Sequence, residues 1–152
     1  MTVVEVDACI EYASAAGGDL AVPTVSHDID RSGRPTRVLV VDDDPRVRAA
    51  LRRTIALEAG MVMVAAAADC ASALRLAGRH NPSVAVVDVL LPEASVGLAL
   101  VRHLSQRPGC AVVVISLRGG LGPAALAAGA VAFVEKDGDI AALLDAVRTA
   151  AR

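Results

Sequence analysis

Polar and charged side chains stand where several of the chain's apolar runs end. They are Asp42, Asp43, Asp44, Asp88, Ser116 and Lys136. Each run is short enough to be a strand and rich in valine or alanine, which is typical of strands buried on both faces. Because the carboxyl ends of parallel strands meet at one edge of a sheet, we expect these side chains to converge on a single site.

The chemistry of this set points to phosphoryl transfer assisted by a hard cation. Mg²⁺ is usually held by one or two carboxylates together with water and phosphate oxygens, so the acidic run suits it. Asp88 stands apart from that run and fits a carboxylate nucleophile that forms an aspartyl phosphate. Ser116 could donate a hydrogen bond to a phosphoryl oxygen, and Lys136 supplies a fixed positive charge. A solvated acidic turn explains the three adjacent aspartates. It does not explain why Asp88, Ser116 and Lys136 also stand at the ends of apolar runs.

Lys136 is the single lysine among 15 lysine and arginine residues. A lysine ammonium is a compact charge on a flexible stem, whereas a guanidinium is a planar fork. The one lysine therefore falls where the phosphoryl-transfer scheme requires a compact cation.

Apolar runs alternate with helical patterns along most of the chain. Strands are predicted over residues 38–41, 61–66, 83–89, 111–115 and 130–135, and helices over 45–59, 69–80, 96–106, 123–128 and 140–151. Pro45 suits the first turn of a helix, and Asp44 and Asp69 suit N-caps. In the second helix Ala73, Leu74 and Ala77 are expected to face inward.

This alternation predicts right-handed crossovers and a mainly parallel sheet with helices on both faces. The fold class is therefore α/β, with a doubly wound five-stranded parallel sheet forming a single domain over residues 37–152. Residues 1–36 are expected to be a flexible extension, because residues 23–35 are polar and show no periodicity. No output domain follows residue 152 in the chain, so we expect the domain to act alone.

Composition argues against several classes of protein. The net charge of −2 and the 1% aromatic content give no reason to expect direct nucleic-acid binding. The apolar runs are too short to cross a membrane, and no secretory signal is evident. Cys9, Cys70 and Cys110 are odd in number and widely spaced, which favours free thiols and a cytoplasmic location.

Together these residues resemble the response-regulator receiver domain of bacterial two-component signalling, over about residues 37–152. The motifs that carry the resemblance are the apolar strand ending in Asp42 and Asp43, Asp88 with Pro92 four residues later, Ser116 after an isoleucine, the Gly129–Ala130 pair, and Lys136. The resemblance implies a flavodoxin-like receiver fold. It also implies a signalling phosphoprotein rather than a turnover enzyme.

The resemblance also implies a role for each acidic residue. Asp43 would bind Mg²⁺ directly and Asp42 through water, while Asp44 falls just outside the pair. Asp88 would accept the phosphoryl group from a histidine kinase or phosphotransfer protein, and it would join the metal site with the backbone carbonyl of Leu90. Self-catalysed dephosphorylation would be slow.

Signalling would follow from Ser116 and Lys136, which contact the phosphate. Phe133 matches an aromatic position that rotates on activation. The residue after Lys136 is Asp137 rather than proline, as in receivers that usually precede helix-turn-helix output domains. The expected partners are the phosphodonor and a downstream protein, which the sequence does not identify. The sequence leaves a homodimer open.

The chain departs from the receiver pattern at two places, and the second borders the surface through which such receivers dimerise or contact their output. The loop before Gly97 is one residue longer than usual, and residues 117–122 are rich in glycine, with a short predicted helix after them. These departures leave open a second function, in which a receiver-like interaction module is weakly phosphorylated or not phosphorylated.

A third function is a phosphatase of the haloacid-dehalogenase type. Asp42 and Asp44 would then be nucleophile and acid, with Ser116 and Lys136 in the next two motifs. This assignment gives Asp88 no role, and a proline follows the acidic run where that family's motif needs a small polar or β-branched residue.

Overall fold

The computed structural model describes residues 32–152, and the predicted alternation of strands and helices is confirmed there. The strands are β1 (Thr36–Val41), β2 (Met61–Ala67), β3 (Val84–Asp88), β4 (Ala111–Ser116) and β5 (Ala132–Glu135). The helices are α1 (Pro45–Ala56), α2 (Cys70–His80), α3 (Ala94–Ser105), α4 (Gly122–Ala127) and α5 (Ile140–Ala151), with a 3₁₀ turn at Gly119–Leu121. The expected flexibility of residues 1–31 lies outside the described residues.

The five strands form one parallel sheet in the order β2-β1-β3-β4-β5. Strand β2 lies on one side of β1, and β3 lies on the other side. Strand order therefore reverses between β1 and β3, and in such sheets a crevice opens at the carboxyl ends of the two strands. The predicted doubly wound α/β fold is confirmed.

Each face of the sheet is covered by helices, as the continuous apolar strands predict. Leu39 and Val41 of β1 pack with buried side chains of α2, α3 and α4. Val38 and Val40 point to the opposite face and pack with buried side chains of α1 and α5. All four β1 side chains are fully buried, so the strand that leads into the acidic run is held rigidly from both sides.

The helices begin at the caps that the sequence predicts. Asp44 accepts a hydrogen bond from the backbone N–H of Arg46 at the start of α1, which has Pro45 in its first turn. Asp69 accepts from the N–H of Ser72 at the start of α2. These caps satisfy N–H groups that have no partner within the helix.

The structure corrects several details of the sequence prediction. Helix α1 ends at Ala56 rather than at residue 59, and β5 begins at Ala132 rather than at residue 130. Leu74, predicted to face inward, is 40% exposed, and Leu76 is buried in its place. The error at Leu74 arises because hydrophobic periodicity leaves neighbouring helix positions ambiguous until the packing partner is known.

Gly97 allows α3 to lie unusually close to the segment that follows β3. A Cβ atom on Gly97 would stand 1.7 Å from the backbone oxygen of Val89, well inside van der Waals contact. Every other residue type would push α3 away from this segment. The close packing fixes the backbone directly after Asp88.

Cys70 and Cys110 are free thiols, as predicted, whereas Cys9 lies outside the described residues. Burial raises the pKa of the Cys110 thiol to about 11. Within residues 32–152, no helix has the length and apolar character needed to cross a membrane.

Candidate functional site

Strand pairing brings the predicted site residues to one edge of the sheet. Val41 pairs with Val87, so Asp42 and Asp88 stand one step beyond this pair on neighbouring strands. On the other side of β3, Asp88 pairs with Ile115 of β4. The backbone N–H of Lys136 then donates to the carbonyl oxygen of Ser116, at 2.8 Å. The site therefore draws one or two residues from the ends of four adjacent strands.

Three carboxylates form the centre of the site. One oxygen each from Asp42, Asp43 and Asp88 lies within 4.8 Å of the other two. Asp42 is fully buried and Asp88 is 5% exposed, whereas Asp43 is exposed to solvent. Such close negative charges repel one another, and this repulsion favours a bound cation.

Lys136 bridges two of the carboxylates. Its Nζ lies 2.7 Å from Asp42 Oδ2 and 2.9 Å from Asp88 Oδ2, and its side chain is 19% exposed. Burial lowers the pKa of Lys136, but hydrogen bonds to Asp42 and Asp88 and the charges of both outweigh it, so the pKa is raised. Burial raises the pKa of Asp42, and the hydrogen bond from Lys136 offsets this effect only in part.

Backbone groups hold the two buried carboxylates in place. The N–H of Asp44 donates to Asp42 Oδ1 at 2.9 Å, and the N–H of Leu90 donates to Asp88 Oδ1 at 3.0 Å. Each carboxylate thus has one oxygen bound by the backbone and the other by Lys136. This arrangement fixes the orientation of both groups before any ligand binds.

Arg48 is a site-supporting residue that the sequence analysis missed. Arginine side chains are usually exposed, yet Arg48 is only 8% exposed. Its Nη1 donates to the backbone oxygen of Asp42 at 2.8 Å. Its place at the end of the first turn of the helix that follows the acidic run was the available signal.

Asp44 belongs to the helix rather than to the carboxylate group. Its side chain caps α1 and binds the guanidinium of Arg46, with 3.1 Å between Oδ2 and Nη2. The hydrogen bonds from Arg46 lower the pKa of Asp44. The run of three aspartates therefore divides into two residues at the site and one N-cap.

Ser116 is fully buried at the end of β4. Its Oγ accepts a hydrogen bond from the backbone N–H of Arg118, at 3.1 Å. The hydroxyl hydrogen can still be donated elsewhere, because a serine hydroxyl is both donor and acceptor. Ser116 therefore keeps a donor at the edge where Asp88 and Lys136 meet.

The glycine-rich segment packs against side chains of β5. A Cβ atom on Gly119 would lie 2.2 Å from Glu135 Oε1, and one on Gly122 would lie 3.4 Å from the ring of Phe133. The ring of Phe133 is half-buried and packs against the core on the α3 and α4 side. At Gly119 the crowding atom is the flexible end of the exposed Glu135 side chain, and at Gly122 a Cβ atom would make ordinary van der Waals contact with Phe133, so packing alone does not demand glycine at either position.

The donor set fits Mg²⁺. Its ligands would all be carboxylate or carbonyl oxygens, which are the ligands that hard cations prefer. Three carboxylates and one ammonium leave two negative charges, which a divalent ion would neutralise. The exposure of Asp43 keeps one side of the group open to solvent, where water and phosphate oxygens could complete the coordination.

The chain belongs to the response-regulator receiver family. The profile of the family described as "Response regulator receiver domain" matches residues 38–148. A solved LuxR-family response regulator from Aurantimonas sp. SI85-9A1 is 34% identical, with a TM-score of 0.68, over 74% of this chain and 82% of that one. The response regulator domain of Thermotoga maritima CheB is 28% identical, with a TM-score of 0.68, over 77% and 96% of the two chains.

Two curated relatives are longer than this chain. A "protein-glutamate methylesterase/protein-glutamine glutaminase 5" of Anaeromyxobacter dehalogenans is 37% identical over 83% of this chain. The nitrate/nitrite response regulator NarP of Escherichia coli is 33% identical over 76% of it. The matches cover only 38% and 56% of these relatives' own lengths.

Membership of this family removes the support for a haloacid-dehalogenase-type phosphatase. That alternative left Asp88 without a role, whereas Asp88 lies in the carboxylate group and pairs with Lys136. The family is a signalling domain of two-component systems rather than an enzyme in itself.

Proposed function

We propose that this chain accepts a phosphoryl group on Asp88 from the phosphohistidine of a histidine kinase or phosphotransfer protein and passes the signal to a protein partner. The observation that carries this proposal is the position of the Asp88 carboxylate. It lies within 4.8 Å of the oxygens of Asp42 and Asp43 and 2.9 Å from Lys136 Nζ. A phosphoryl group added to Asp88 would meet cationic charge and hydrogen-bond donors on more than one side.

In the proposed step, one carboxylate oxygen of Asp88 attacks the phosphorus atom. The new O–P bond forms as the N–P bond of the phosphohistidine breaks, and the imidazole keeps the electron pair and takes up a proton. Lys136 stays protonated and offsets the charge of the phosphoryl oxygens. The hydrogen bond from Leu90 to Asp88 holds the carboxylate in one orientation, which reduces the entropy lost in reaching the transition state.

Asp42, Asp43 and Asp88 would hold Mg²⁺, with the backbone carbonyl of Leu90 as a further ligand. When bound, the ion supplies positive charge that lowers the repulsion between the carboxylates and an incoming phosphate. The burial of Asp42 and the exposure of Asp43 agree with a water-mediated role for the first and direct binding for the second.

The conformational response would begin at Ser116 and Lys136. A phosphoryl oxygen that accepts a hydrogen bond from Ser116 would draw the loop after β4 toward Asp88. This loop carries Gly119, beside Glu135, and leads into Gly122 at the start of α4, beside Phe133. Movement of the glycine-rich segment would therefore change the packing of Phe133 and the surface that a downstream partner or a second copy contacts.

A binding module without phosphorylation remains the second candidate, and the glycine-rich segment is the observation that favours it. The two functions are separated by incubating the protein with acetyl phosphate and Mg²⁺ and measuring its intact mass. We expect the mass of one phosphoryl group to be added, with loss of acetate from the donor. An unchanged mass would support the binding module, and turnover without accumulation would support a phosphatase.

Mg²⁺ should stabilise the folded protein through the carboxylate group. A ligand that binds only the folded state at about ten times its Kd adds about 1.4 kcal/mol to the free energy of unfolding. This should raise the Tm by a few degrees. Asp43→Ala should abolish the increase, while Asp145→Ala, which removes an exposed carboxylate of α5, should retain it. Thermal unfolding with and without Mg²⁺ measures both, and a full response in Asp43→Ala would contradict the assignment.

A further inference from the structure

Acidic side chains are distributed unevenly between the two ends of the sheet. Of the 11 acidic side chains in residues 32–152, nine lie between the last residue of a strand and the cap of the following helix, at the edge that carries Asp88. The other two are Glu58 and Asp145, and both pair with Arg148. Among the described residues, the amino-terminal end of the sheet therefore has no acidic side chain available to offset further basic groups.

An arginine-lined cavity of about 850 Å³ lies at this amino-terminal end. It is bordered by the start of β1, the ends of α2 and α3, and the end of α5. The basic side chains along it are Arg34, Arg37, Arg79, His80 and Arg107. Among the described residues that line this cavity, none is acidic and none is aromatic apart from the histidine. The cavity therefore gathers positive charge that no carboxylate side chain in its wall offsets.

Two of these guanidinium groups are held in position by the end of α2. Arg37 Nη2 donates to the backbone oxygen of His80. Arg107 Nη2 donates to the oxygen of Ala77 at 3.1 Å and to Asn81 Oδ1 at 3.4 Å. These contacts involve one terminal nitrogen of each guanidinium, which has five N–H donors. The two arginines are therefore oriented in advance and retain donors for the oxygens of an anion.

His80 reports the unbalanced charge of the cavity. Its Nε2 is buried and has no hydrogen-bond partner in the part of the chain that the structure describes. Burial lowers the pKa of His80, and the nearby charges of Arg79 and Arg37 lower it further. Cations that repel one another in this way are stabilised by an anion placed among them. Such an anion could also accept a hydrogen bond from the imidazole, which always carries at least one N–H.

We propose that the arginine-lined cavity binds a compact polyanion whose phosphate or carboxylate groups accept hydrogen bonds from Arg37, Arg79 and Arg107. The guanidinium fork matches the oxygens of both groups, and the volume falls within the range of about 300–1,000 Å³ that is typical of small-molecule sites. A nucleobase would find no aromatic ring of Phe, Tyr or Trp to stack on among the described lining residues. The cavity lies at the end of the sheet away from Asp88, so this inference goes beyond the proposed function and does not depend on it.

Isothermal titration calorimetry on the full chain tests the proposal, with tripolyphosphate and citrate as probes. Mg²⁺ is left out because both probes chelate it. We expect saturable binding of at least one probe at one site per chain, and the tighter probe shows whether phosphate or carboxylate groups are preferred. ATP should bind no more tightly than tripolyphosphate, because the cavity offers its base no stacking partner. The proposal is overturned if neither probe binds saturably, or if ATP binds much more tightly than tripolyphosphate.

A matched pair of variants and an NMR titration locate the binding. Arg79→Gln, at an exposed position, should raise the Kd roughly five- to tenfold through loss of one charge-assisted hydrogen bond. Arg75→Gln makes the same change one turn earlier on α2, outside the cavity, and should bind as the wild type does. The bound probe should shift the amide resonances of Asn81, Ser83 and Cys110, which border the cavity. Equal effects of the two variants, or shifts confined to the edge that carries Asp88, would overturn the proposal.

Discussion

Asp88→Asn is expected to fold normally and to gain no mass with acetyl phosphate and Mg²⁺. An amide oxygen is a poor nucleophile, and Asp42, the nearest other buried carboxylate, is held by the N–H of Asp44 and by Lys136. The expected loss is therefore complete rather than partial. Intact-mass measurement after identical incubation of variant and wild type gives the result directly.

The stability of Asp88→Asn should change by no more than about 1 kcal/mol. The variant loses the ion pair with Lys136 but keeps an oxygen that can accept from the N–H of Leu90. It also removes one of three mutually repelling charges, while Lys136 still pairs with Asp42. Asp145→Asn, at an exposed position on α5, is the matched control and should be phosphorylated normally. A variant that still gains mass, with the group mapped to another carboxylate, would move the acceptor site.

Lys136→Arg is expected to fold and bind Mg²⁺ almost as the wild type does but to lose most of the response to phosphorylation. The ammonium fits between Asp42 Oδ2 and Asp88 Oδ2, at 2.7 Å and 2.9 Å. A planar guanidinium is larger and cannot place one nitrogen between both oxygens with the same freedom. A phosphoryl group on Asp88 would then compete with it for space.

The response of Lys136→Arg can be read from amide exchange around residues 116–122 and near Phe133, with and without the phosphoryl mimic beryllofluoride. The wild type should change in both regions, and Lys136→Arg should show only a small part of that change in either. Arg148→Lys makes the reverse exchange at a half-buried pair with Glu58 and should keep the full response. If Lys136→Arg responds fully, the single lysine is an accident of composition.

Sequence reasoning succeeded where strand ends and chemistry coincide. A valine-rich strand followed by aspartates and a proline specifies both a buried β1 and the start of α1, because each residue type has few alternatives there. Parallel pairing then determines that Asp42, Asp88 and Ser116 meet at one edge. The family and the fold are therefore readable from a small number of positions.

The remaining details depend on tertiary contacts that no local pattern records. Arg48 is buried because the backbone oxygen of Asp42 turns toward α1. Leu74 stays exposed because Leu76, two residues later and on the opposite side of α2, fills the core. The glycine-rich segment lies against β5, where Gly119 meets the flexible end of the Glu135 side chain and Gly122 makes ordinary contact with the ring of Phe133. Such contacts join residues far apart in sequence.

Borohydride reduction of the phosphorylated protein would locate the phosphoryl acceptor. Borohydride converts an aspartyl phosphate to homoserine, so the modified position is recorded permanently and can be located by peptide mass mapping. We expect homoserine at residue 88 and at no other aspartate position. Homoserine at Asp42 or Asp43, or a phosphorylated protein that yields none, would contradict the assignment of Asp88 as the acceptor.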